Sequence, residues 1–201
     1  MESEARPLDT RFSRRWVGAN ALGWLLGFIL VLVMSQAWDL IGGGAQFMVG
    51  VGMGAGVGIL QGRVIAPWVT SWWQWALMST IGTGAPFLLW DVGVGLGMNW
   101  PLPLWVCVLI GSVLAGFLQQ RLFRPHGPRA RWWVAACVVG WMVPEGLLAL
   151  DDLGFLPGMW AFLSIGTLFF GGVLLGAVTS AALPWILSDP AAGEEVAKRA
   201  P

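Results

Sequence analysis

Six apolar runs of 19 to 27 residues, none carrying Lys or Arg in its interior, constrain this chain more than any other feature. They fall near 16–37, 41–61, 72–90, 101–120, 132–150 and 160–186. A helix of about 20 residues crosses a hydrocarbon core of ~30 Å. Within lipid every backbone polar group must find a partner in the protein, so only helices and closed barrels span. A barrel needs strand-length segments of alternating polarity, and the six runs do not alternate. The expected fold is therefore all-α, with six transmembrane helices. Composition points the same way: 57% of the 201 residues are apolar and 11% are charged. A soluble domain has about a quarter charged residues, so this chain cannot wet the outside of a globule. Such apolarity excludes disorder, and a formal net charge of zero argues against a nucleic-acid partner.

The first run mimics a secretory signal, because Arg14-Arg15 precede it and Ser35-Gln36-Ala37 end it. From Trp16 to Ala37 it spans 22 residues, too long for a signal core and right for a span. Its anchors also recur downstream. Trp16 precedes Gly23 by seven residues, as Trp75 precedes Gly82 and Trp133 precedes Gly140. Farther on, Gly58-Ile59-Leu60-Gln61-Gly62-Arg63 matches Gly116-Phe117-Leu118-Gln119-Gln120-Arg121, with a degenerate copy from Gly176 to Ala181. The offsets from leading Trp to motif Gly are 42, 41 and 43 residues. The expected unit is a helical hairpin repeated three times, at about 16–71, 72–131 and 132–186, between polar tails at 1–15 and 187–201, all in one transmembrane domain. Two spans per unit keep the copies parallel, about an axis along the membrane normal.

Net neutrality conceals a complete segregation of cations. Arg6, Arg11, Arg14 and Arg15 precede the first run, and Arg63 lies between the second and third. Arg121, Arg124, Arg129 and Arg131 lie between the fourth and fifth, and Lys198 and Arg199 follow the sixth. The opposite loops carry only Asp39, Asp91, Asp151 and Asp152. The positive-inside rule then places both termini in the cytoplasm. The arginines at 121–131 either set this topology or also bind anionic lipid headgroups.

Small residues recur four before each motif glycine, giving the pairs Gly54/Gly58, Ser112/Gly116 and Gly172/Gly176. Such pairs let helix backbones approach closely. They are expected to pack the second helix of each hairpin as an inner helix, or to form an oligomer interface. Trp68, Trp72, Trp73, Trp75, Trp132, Trp133 and Trp185 near one set of ends, and Trp38, Trp90, Trp100 and Trp160 near the other, read as aromatic belts. Trp24 and Trp141 lie eight residues beyond their leading Trp, inside the membrane. Their indole N–H groups need acceptors there.

Glu145 is the one ionisable side chain deep within a run, and such a carboxyl is a functional candidate by default. It lies about 20 Å along its helix from Trp132, next to Pro144, which is expected to kink the helix. Gln46, Thr83, Ser164 and Thr167 fall at a similar depth in the outer half. With no Lys or Arg in reach, Glu145 is expected to be neutral and hydrogen-bonded in this polar layer. The alternative is a single structural hydrogen bond. Gln61, Gln119 and Thr179 are repeat equivalents that either form a ring about the axis or cap helix C-termini.

Catalytic chemistry is not expected. Cys107 and Cys137 sit singly in apolar runs, and the lone His126 lies between Pro125 and Pro128. No metal-ligand spacing, nucleophile–base pair or cofactor motif occurs. The expectation is no cofactor, no metal and no enzyme activity. The repeating motif, at Gly58–Arg63 and Gly116–Arg121 with a Pro and a Trp-rich start after each, resembles a group of bacterial membrane proteins built from Trp-rich hairpins. This resemblance implies a multi-pass protein of the bacterial inner (plasma) membrane and no particular activity. The third copy departs from it by lacking both Gln and Arg. Two function classes follow. The first is a structural or interaction protein, partnered by membrane lipids and by a second copy or another membrane protein, which the single buried charge favours. The second is a small-solute transporter or the substrate-binding subunit of an importer. Six spans in about 200 residues resemble the substrate-capture components of energy-coupling-factor importers, which implies a ligand near the outer face.

Overall fold

The structure, a computed structural model, describes residues 10–39, 46–98, 103–123, 127–156 and 158–188. Six α-helices account for most of them: Thr10–Asp39 (α1), Phe47–Ile65 (α2), Trp72–Gly95 (α3), Leu104–Gln120 (α4), Trp132–Asp152 (α5) and Trp160–Leu187 (α6). Two 3-10 turns, Ala66–Trp68 and Pro128–Arg131, introduce α3 and α5. Among the described residues the only sheet-like pairing is one antiparallel bridge between Val69 and Phe123. Three segments, Thr10–Ala37, Phe47–Trp68 and Ala161–Leu187, are long and apolar enough to cross a membrane. The surface fits a helical protein of membrane type, since Leu22, Leu32, Leu89, Phe162, Phe169 and Phe170 all expose more than half of their area.

Each helix packs against its chain neighbours, and α6 packs against α1, so the six close into a ring. Neighbours run antiparallel: going along α2, Gly50, Gly54, Gly58 and Gly62 meet Thr83, Thr80, Ala76 and Trp72 of α3 in turn. One end of the ring therefore collects Arg11, Arg14, Arg15, Arg63, Arg121, Arg129 and Arg131, and the other collects Asp91 and Asp151. Arg6, Arg124, His126, Lys198 and Arg199 lie outside the described residues.

Small residues make this packing possible, because two backbones can touch only where no side chain intervenes. A Cβ on Gly56 would fall on the Gly27 backbone. Within hairpins, Gly23, Gly82 and Gly140 meet Val57, Ala115 and Leu175, each the residue before a motif glycine. Between hairpins, the motif glycines themselves make the contact. A Cβ on Gly58 would lie 2.6 Å from Ser79 Cβ, one on Gly116 2.8 Å from Val134 Cα, and one on Gly176 2.8 Å from Val17 Cα. Gly54 faces Thr83, and a Cβ on Gly172 would lie 2.5 Å from the Trp24 Cβ. Ser112 is buried, with its hydroxyl donating to the Leu109 carbonyl of its own helix at 2.8 Å. These stripes thus face helices of this same chain. Burial does not sort by place in the hairpin: α2 is largely buried, whereas much of α6 faces outward.

The helix limits depart from expectation at several places, α3 among them in running on to Gly95. The first helix starts at Thr10, inside the expected polar tail. Phe12 draws it down by packing edge-on against Trp68, with ring centroids 4.9 Å apart, while Arg11, Arg14 and Arg15 stay exposed. The second begins at Phe47 and runs past the motif to Ile65; its expected start at 41 lies outside the described residues. An acidic side chain meets its first turn. The Gln46 and Phe47 N–H groups donate to the two carboxylate oxygens of Asp91, at 3.0 and 2.8 Å. A helix N-terminus has N–H groups without intrahelical partners and favours a negative charge. Asp151 does the same for α6, accepting from the Met159 N–H at 3.2 Å. The side chains of Asp39 and Asp152 are outside what the structure describes.

Candidate ligand cavity

The inner face of the ring is built from every fourth residue of the odd-numbered helices, a spacing that stacks side chains on one helical face. Starting at the arginine end, the first tier is Trp16, Trp75 and Trp133. The second is Asn20, Ser79 and Cys137, the third Trp24, Thr83 and Trp141, and the fourth Phe28, Phe87 and Glu145. The first tier is fully buried. Trp133 lies 6.1 Å from Trp16 and 5.4 Å from Trp75 by ring centroid. Trp75 and Trp133 are therefore central residues, which corrects their assignment to a membrane-interface belt. Trp72, Trp73, Trp132 and Trp185 do expose two-fifths or more of their area. The 100° turn per residue separates Trp132 from Trp133 in this way.

Each central indole donates to the even-numbered helix of the preceding hairpin, taken cyclically. Trp75 Nε1 donates to Gln61 Oε1 at 3.1 Å, Trp133 Nε1 to Gln119 Oε1 at 2.9 Å, and Trp16 Nε1 to Thr179 Oγ1 at 2.8 Å. The glutamine amides then donate to the second tier, Gln61 to Asn20 at 2.8 Å and Gln119 to Ser79 at 2.7 Å. Thr179 is too short for that second bond and donates to the Leu175 carbonyl instead. Cys137, its would-be partner, lies with Sγ 3.7 Å from Gln119 Oε1. These residues form a polar girdle across the ring and do not cap helix C-termini. Burial without partners would cost about 1–3 kcal/mol per group, so this layer is held closed by its bonds. Asn20 and Ser79 were not singled out from the sequence, where Cys137 stood only as a lone cysteine in an apolar run. Their shared offset of four residues from the leading Trp was the available signal.

Toward the acidic end the inner face opens into a cavity of about 340 Å³. All six helices contribute. Trp24, Phe28 and Val31 come from α1, Gly50 and Met53 from α2, and Thr83 and Phe87 from α3. Leu104 and Val108 come from α4, Trp141, Glu145 and Leu148 from α5, and Ser164 and Thr167 from α6. The structure thus brings together six of the seven residues expected to share a polar site: Glu145, Thr83, Ser164, Thr167, Trp24 and Trp141. Gln46 is corrected. It is exposed at the start of α2, where its backbone N–H meets Asp91, and it does not line the cavity.

Several of these side chains are held in place by the backbone. The Trp24 indole N–H donates to the Thr167 carbonyl at 3.1 Å, and its ring lies 5.4 Å from that of Trp141. Gly171 gives Trp24 its seat, since a Cβ there would lie 2.5 Å from the indole. The Thr83 hydroxyl lies 2.7 Å from the Gly50 carbonyl and 2.9 Å from the Ser79 carbonyl, joining α3 to α2. Thr167 Oγ1 lies 3.4 Å from the Pro144 carbonyl, beside Glu145. Glu145 is buried. The cavity wall is thus apolar and aromatic, with one carboxyl and three hydroxyls.

Below the cavity a space of about 10 Å³ touches Thr83, Trp141, Gln61 and Gln119, so the girdle forms its floor. The arginines at the other end take separate roles. Arg63 lies over Trp72, Arg121 lies 4.4 Å from the Phe117 ring centroid, and Arg129 lies over Trp185 while donating to its carbonyl at 3.3 Å. Arg131 is exposed. No family model matches this chain, and no curated protein or solved structure matches it.

Proposed function

We propose that this chain is a six-span membrane protein that binds one small molecule at the centre of its helix ring, as a solute carrier or as the substrate-binding subunit of one. The observation that carries the proposal is the cavity. It draws its wall from all six helices and gathers Glu145, Thr83, Ser164, Thr167, Trp24 and Trp141 in one lining. At about 340 Å³ it falls in the range of small-molecule sites, ~300–1,000 Å³. The small-residue stripes that could have formed an oligomer interface meet neighbouring helices of this same chain.

Six spans are supported by the antiparallel order around the ring, in which α3 packs against α2, α5 against α6, and the shorter apolar α4 lies between α3 and α5. A threefold hairpin repeat is supported by the recurrence of the Trp–Gln/Thr bond and of both glycine contacts. With the arginines at the cytoplasmic face, both termini are cytoplasmic and the cavity faces outward. The bacterial inner membrane suits this arrangement.

Native mass spectrometry of protein extracted from its own membrane in mild detergent tests the reading. The expected result is a discrete small-molecule adduct at one copy per chain, reduced in Glu145→Ala. A stable protein partner with lipid adducts alone would support the interaction class instead.

A further inference from the structure

Resting on that cavity, we infer that its ligand is an organic monocation with an apolar body, an alkyl- or arylammonium, whose charge is balanced by Glu145. Three features lead there. The first is charge. Among the described residues the lining has one carboxyl and no Lys, Arg or His. An anion would find no basic side chain in this lining to receive it. A monocation paired with one carboxylate leaves the site neutral, the arrangement a membrane interior tolerates.

The second is the wall. Trp24, Trp141, Phe28 and Phe87 surround the depth at which Glu145 sits. Aromatic faces attract cations of low hydration, and quaternary or alkylated ammonium groups are the usual beneficiaries. They also match an apolar ligand body. The third is the scarcity of oxygen donors. A bare metal cation needs about six oxygen ligands, and the described residues hold no cluster of metal-binding side chains. Two of the three hydroxyls, those of Thr83 and Thr167, already engage backbone carbonyls. A sugar-like polyol would likewise lack partners for its hydroxyls. When the cation enters, a proton on the Glu145 carboxyl leaves to water, so no charge accumulates at the site.

The test uses the full-length protein in lipid nanodiscs and isothermal titration with three compounds. These are benzyltrimethylammonium, its uncharged carbon counterpart neopentylbenzene, and benzenesulfonate, each corrected with empty nanodiscs. The expected result is one-to-one binding of the ammonium, at least about tenfold weaker in Glu145→Gln and retained in Glu145→Asp, with no binding of the sulfonate. Equal binding of the neutral compound or of the sulfonate overturns the ligand class and leaves the cavity reading standing. So does unchanged ammonium affinity in Glu145→Gln. No saturable binding of any compound, with no small-molecule adduct on native protein, overturns both. The ranking of the three compounds on the wild-type chain decides the class even where Glu145→Gln does not fold.

Discussion

Trp16 on α1 donates its indole N–H to the Thr179 hydroxyl on α6 at 2.8 Å, across 163 positions of chain. This bond does for the ring's closure what the Trp75–Gln61 and Trp133–Gln119 bonds do between consecutive hairpins. It joins the first helix to the last, so the ring shuts without a special closing element. Thr179 takes on α6 the part that Gln61 takes on α2 and Gln119 on α4, and it keeps the acceptor while losing the amide.

Removing acceptors from the girdle should destabilise the fold in a definite order. Thr179→Val leaves the Trp16 N–H buried without its acceptor, at about 1 kcal/mol. Gln119→Leu strands the Trp133 N–H and removes the bond to Ser79, at about 2 kcal/mol. Thermal unfolding in detergent should rank wild type above Thr179→Val above Gln119→Leu. Equal midpoints would remove the girdle from the account of stability.

Glycine substitutions should split by what their Cβ meets. Gly56→Leu forces α1 and α2 apart, because its Cβ lands on the Gly27 backbone; overpacking costs about 1–3 kcal/mol or more. Gly18 on α1 has nothing within 4 Å of a Cβ. Gly18→Ala should stabilise the helix by about 0.5–1 kcal/mol. The yield of folded monomer on size exclusion, with its melting midpoint, checks both signs.

Asp91 should control the start of α2. Asp91→Ala removes the acceptor from the Gln46 and Phe47 N–H groups, a cap loss worth about 1 kcal/mol. Hydrogen exchange of the peptide covering residues 46–49 should quicken in Asp91→Ala and less in Asp91→Asn. No change in that peptide would show that the carboxylate is not the cap.

The orientation of the ring can be read with added thiols. Cys107 and Cys137 are buried and should stay unlabelled in native protein. Met98→Cys, at an exposed site of the acidic end, should react with an impermeant maleimide on intact spheroplasts. Thr70→Cys, at the arginine end, should react only after permeabilisation. The reverse pattern would invert the topology and turn the cavity toward the cytoplasm.

Much of this architecture was legible in the residues because the signals are local. A long apolar run reads as a helix wherever it occurs, and α3, α5 and α6 begin at the expected residues. Glu145, Thr83, Ser164, Thr167, Trp24 and Trp141 could be grouped from their depth along helices of known rise. Depth is a one-dimensional quantity, and the sequence by itself determined it, together with the charge asymmetry of the two ends. Azimuth was decided only by tertiary structure. Depth put Gln46 with Glu145, but it stands exposed at the very start of α2, where Asp91 accepts from its backbone N–H. The same ambiguity placed Trp75 and Trp133 at an interface, although the turn of the helix carries them to the centre. Asn20 and Ser79 look unremarkable until Gln61 and Gln119 reach them from another helix. Which face points inward depends on where neighbouring backbones approach, and here glycine contacts between helices far apart in sequence set that approach. The closure of α6 on α1 and the cavity it encloses exist only once all six faces have been chosen together.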